Sequence, residues 1–347
     1  MVRKLLQLIC ISVVLMTSVS ICAQTQPAPP RSSSRTPKTQ ETRKPIFIFH
    51  TGEFWLNLHH FLYVLGRAEN KERDIQREAV SGAPADQERG LQKLNEAERK
   101  IWRDAVGAYA AGPSKKDVVF DDPMPAITNA LSRVVDAKSL TSSEIDPGIR
   151  IILERATPIY RKAWWEEHRE ANRAWKKEID ALVDRHGTAV LAFITNAYKL
   201  DWPATGFPVH VSAYSNWAGA YSITGNLLVM SSRSPGLQGL YGFETAFHEG
   251  MHQWDDQVFE TLRKQAVKVN KFFPKGLSHA MIFFTAGEAV RSVVPDHVPY
   301  AEKFGVWQRG LGPMKVALEE NWKPYLDGKV TRDEALRALI ERTAVAR

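Results

Sequence analysis

Residues 241–258 read YGFETAFHEGMHQWDDQV, and His248, Glu249, Gly250, Met251 and His252 within them form an H-E-x-x-H pattern. On a helix, side chains four apart share a face, so both imidazoles can reach one cation while the intervening glutamate addresses a water on it. At about 100° per residue, Phe243, Phe247, Met251, Trp254 and Val258 line one apolar stripe, and the two histidines project well away from it. They are therefore not simply part of the stripe that docks the helix into the core. Asp255 projects from the histidine face just past His252, where a carboxylate can orient an imidazole.

A catalytic zinc takes three protein ligands and keeps a fourth position for water. The longer HExxHxxGxxH pattern does not supply the third, because Asp255 stands at its glycine position and Val258 at its last histidine. The candidate is Glu288 in TAGEAV, residues 285–290, which follows the apolar run 280–284. A carboxylate on a largely buried helix is costly unless paired or bound to a metal. Gly287 beside it lets two helix backbones approach closely. His279, nine positions earlier, points to the opposite face of a continuous helix. It remains an alternative, as do Asp255 and Asp256.

Upstream of the motif, residues 209–214 alternate apolar and polar side chains, and residues 226–232 supply Leu227, Leu228, Val229 and Met230 after a turn at Gly225-Asn226. These are expected strands of a small sheet. Earlier, residues 46–49 fit a strand and residues 53–66 a helix apolar on nearly all sides. Residues 85–110 and 124–135 have helical spacing, and residues 148–198 read as helix with interruptions near Pro158 and at His186-Gly187. The pattern predicts a mostly helical α+β fold with the small sheet packed beside the HExxH helix. It divides into a helical part over residues 45–207 and a metal-binding part over 208–347. Histidines 59 and 60, in a strongly apolar segment, are read as buried polar groups rather than ligands. Trp164, Trp165 and Trp175 are read as helix-packing residues.

The remaining features concern export and charge. Arg3 and Lys4 precede an apolar run over residues 5–16 and small residues up to Ala23, the layout of a secretory signal peptide over residues 1–23. That run is short of the roughly 20 residues a bilayer needs, and no integral span is expected after cleavage. Residues 24–44, rich in Pro, Ser, Thr, Gln and Arg, are expected to be a disordered linker. The expected location is outside the cell or in the periplasm. Ile21 precedes Cys22 where lipid-attachment signals carry a small residue, so no lipid anchor is expected. Both cysteines, Cys10 and Cys22, fall in the expected leader, so a zinc site must use His, Asp or Glu. Without Arg3 and Lys4, 44 basic residues face 39 acidic ones, a net +5. Runs such as residues 164–177 mix both signs, unlike a nucleic-acid-binding face.

Over residues 209–292 the chain resembles gluzincin metallopeptidases, which pair an HExxH helix with a glutamate on a following helix. The resemblance implies a zincin-like domain and hydrolysis of peptide or protein substrates with Glu249 as general base and Zn2+ on His248, His252 and Glu288. It also implies a substrate-holding strand edge at residues 226–232 and an oxyanion donor beyond the glutamate, for which His297 and Tyr300 are available. Ser292 departs from the family, many of whose members carry Asp four residues after the glutamate. Two other readings are a catalytically inactive zincin-like binding protein and a zinc hydrolase of a non-peptide amide. No oligomeric state is legible.

Overall fold

The computed structural model describes residues 44–71, 80, 82–134, 139–140, 145–223 and 227–345. The expected signal peptide, nearly all of the expected linker and the turn at Gly225-Asn226 lie outside the described residues. Strand β1 (Phe47–His50) leads into α1 (Phe54–Glu69), α2 (Ala83–Leu91), α3 (Glu96–Ala111), α4 (Met124–Ser132) and α5 (Pro147–Tyr160). Next come α6 (Glu166–Leu182), α7 (Thr188–Tyr198), and the strands β2 (Phe207–Ser212), β3 (Ala220–Ile223) and β4 (Leu227–Ser231). The rest is helical: α8 (Gly239–Met251), α9 (Asp255–Lys268), α10 (Leu277–Arg291), α11 (Tyr300–Lys303), α12 (Gly312–Ala317), α13 (Lys323–Leu326) and α14 (Arg332–Thr343). The fold is mostly helical α+β, as its sequence pattern requires.

Local chemistry explains where the elements begin and bend. The expected single helix over residues 85–110 is two, because Asn95 starts α3 afresh: its side chain accepts from Glu98 N while Glu98 reaches back to Asn95 N. Pro158 lies within α5 and does not stop it; the helical path runs unbroken from Pro147 to Tyr198, with π turns at Arg161–Trp165 and Val183–Gly187 absorbing the irregularity.

The sheet order is β1-β2-β4-β3, parallel except for β3, which runs antiparallel to β4 at one edge. Residues on both sides of position 207 therefore contribute strands to it. Because side chains alternate across a sheet, Phe47, Val209, Val211, Leu228 and Met230 pack on one face with Phe243 and Phe247 of α8. Tyr221, Leu227 and Val229 pack on the other face with α1, whose residues from Phe54 to Gly66 are all buried. Helix α8 thus lies in one core and the all-round apolar α1 in the other. At Gly250, inside the motif, an added Cβ would fall 2.4 Å from the Trp202 ring, so the glycine lets that ring pack against α8.

Candidate metal centre

Helix α8 ends at the motif: Met251 is its last residue, and the chain tightens into a 3-10 turn at His252–Trp254 before α9. The imidazoles of His248 and His252 lie 5.0 Å apart, centre to centre. His279, from the start of α10, joins them at 5.4 Å from His248 and 5.0 Å from His252. One nitrogen of each ring lies within 4.8 Å of the others. Phe283, one turn after His279, packs on both His248 (3.9 Å) and His279 (4.8 Å) and fixes their ring planes.

Glu288 is elsewhere. Its two carboxylate oxygens accept from Arg291 Nη1 at 2.7 Å and Lys323 Nζ at 2.6 Å, and it is not among the groups that converge on the imidazoles. The third side chain that converges on the two motif imidazoles is therefore His279, where the sequence suggested Glu288. The physical reason is rotational: nine helical positions at about 100° place the two side chains on opposite faces, and the His279 face of α10 meets the motif. The buried carboxylate meets two cations instead.

The remaining contacts assign the other expected residues. His252 Nδ1 donates to Asp255 at 3.0 Å, leaving Nε2 for a cation. Buried Glu249 accepts from Ser222 Oγ on β3 at 2.9 Å. His297 Nε2 sits 2.6 Å from Glu244, one turn before His248, and the Tyr300 N–H donates to the same carboxylate. These contacts tie the segment after α10 to α8; the His297 nitrogen is engaged there rather than among the three imidazoles. His59 and His60 are fully buried, bonded to the hydroxyls of Tyr109 and Tyr221. Trp164 and Trp175 are buried and donate to backbone carbonyls, and Trp165 packs on Phe54.

Two site residues carry a weak or absent sequence signal. His279 stood only as an alternative, and Ser222 had none, because β3 has no alternating pattern long enough to mark it. The edge strand beside the motif is β3, with β1 at the opposite edge; β4, within the segment over residues 226–232, is internal, paired on both sides.

The surroundings shift the histidines in different directions. Burial, then the neighbouring imidazoles, push His248 well below the usual histidine range. Desolvation, with His252 adding, lowers His279 to about 4. Both are neutral near pH 7 and offer lone pairs. At His252 desolvation is the largest influence, but the Asp255 hydrogen bond and the charges of Glu249 and Asp255 outweigh it and raise the pKa. Burial raises Glu249, opposed by His252 and Ser222. His248 Nδ1 is buried with no partner. Three converging imidazoles, one of them with a buried nitrogen that lacks a partner, form a group that could hold a metal ion. No protein-family model, curated protein or solved structure matches the chain.

Proposed function

We propose that the chain is an exported zinc-dependent metallopeptidase of zincin type, with His248, His252 and His279 as ligands and Glu249 as general base. Its motif helix resembles that of gluzincins, with a histidine in place of their glutamate. The observation that carries the reading is the convergence of three imidazole nitrogens beside a buried carboxylate. Export is supported by the sequence of residues 1–23.

Zinc, which His248, His252 and His279 would hold, would supply a Lewis acid for a scissile carbonyl and bring the pKa of a water towards neutrality. Glu249 would accept a proton from the attacking water and deliver it to the leaving amine. Burial lifts Glu249 towards the range in which a carboxyl both accepts and returns a proton. Ser222 Oγ holds its Oε2, so proton transfer falls to Oε1. Strand β3 pairs only with β4 among the described residues, and its other edge suits an extended peptide backbone.

The test is turnover of a mixed peptide library, read by mass spectrometry, beside zinc content. Glu249→Gln is expected to keep zinc and lose about 10²–10⁴-fold in turnover. Undiminished cleavage would remove Glu249 as base, and a wild-type chain that takes up no zinc would remove the metallopeptidase reading.

A further inference from the structure

We infer a second cation site, formed by His50, Glu53 and His210 at the β1–α1 turn, that takes a zinc-class divalent ion. In register, His50 of β1 lies beside His210 of β2 on the α1 face of the sheet. Their rings stack at 4.9 Å with planes 13° apart. His50 Nδ1 is 3.6 Å and His210 Nδ1 is 3.2 Å from the same oxygen, Glu53 Oε1. Ligand atoms sharing one tetrahedral zinc with bonds of about 2.0–2.2 Å lie roughly 3.3–3.6 Å apart; the His50 distance falls in that range, and the His210 contact, a hydrogen bond at 3.2 Å, is just short of it.

The carboxylate itself calls for a cation. Glu53 is 7% exposed and occupies the N-cap of α1, yet its side chain makes no capping hydrogen bond. Its Oε2 is buried with no partner. Among the described residues no lysine or arginine pairs with it. A buried carboxylate is expensive unless a charge or several donors compensate it, and two imidazoles with one carboxylate form a zinc-type donor set. Among the described residues only the α8–α10 cluster already has all its ligand atoms within 4.8 Å of one another; here the His50 ring must turn towards His210 to close. That side chain is 44% exposed at the strand end, which gives it room to turn and leaves the fourth position open to water. The ion would clip the β1–α1 turn to β2. The inference stands apart from the proposed peptidase activity.

The experiment uses the purified full chain, stripped with a chelator, re-equilibrated with zinc alone and measured for zinc per chain. Wild type is expected to hold two ions. His50→Ala, at an exposed position that spares the fold, and Glu53→Gln should each hold one. His252→Ala should also hold one and lose it when combined with His50→Ala. Circular dichroism checks folding of each variant. A single wild-type ion lost in His50→Ala but kept in His252→Ala would uphold this site and remove the other. Wild-type occupancy unchanged in both His50→Ala and Glu53→Gln would overturn the inference.

Discussion

Helix α10 carries a polar side chain near each end, and the two meet different partners. His279 joins two other imidazoles and, among the described residues, has no carboxylate ion pair, while Glu288 is held between Arg291 and Lys323. A buried carboxylate on a helix near a metal motif is thus weak grounds for a ligand, because ordinary cations satisfy it equally well. Of the three imidazoles, His252 is paired with Asp255, whereas His248 keeps a buried Nδ1 without a partner, a group that a metal ion could satisfy.

Breaking each end separately sharpens the contrast. The largest effect is expected for His279→Ala, which should weaken zinc binding by well over about 100-fold, since outer partners alone are worth roughly 10–100-fold; competition with a chromophoric chelator measures it. Asp255→Ala should fall in that lower range, about 10–100-fold, because the His252 ring loses the carboxylate that orients it. Ser222→Ala should keep zinc, leave KM nearly unchanged and lower kcat about tenfold, the size of one hydrogen bond to a charged group. Threonine at that position should restore much of the rate. Glu288→Ala should leave zinc affinity unchanged and cost about 1–2 kcal/mol in urea unfolding, a modest figure because Arg291 and Lys323 are each more than a third exposed and solvent screens the pairs.

How much of this was legible beforehand follows from the range of each interaction. Positions 248, 249, 252 and 255 are local to one stretch of helix and turn, so spacing alone placed both imidazoles, the glutamate and the aspartate. The third imidazole depends on which face of α10 turns towards α8. That helix is buried on several sides, from Leu277 through Met281 and Phe284 to Val290, so it has no single apolar stripe to announce its orientation. Ser222 depends on β3 pairing with β4 at the sheet edge, and the Glu244–His297 contact joins positions 53 apart. Such contacts are fixed by packing of distant segments rather than by local pattern. The buried helix over residues 53–66 was legible for the opposite reason: apolar on nearly all sides, it can only lie inside.

The account rests on three imidazoles sharing one ion. A crystal of the zinc-loaded chain, with data collected on both sides of the zinc absorption edge, tests this directly. The expected result is an anomalous peak bonded to His248, His252 and His279, with Glu288 still on Arg291 and Lys323. A peak completed by the Glu288 carboxylate, or no peak between those imidazoles, would contradict it.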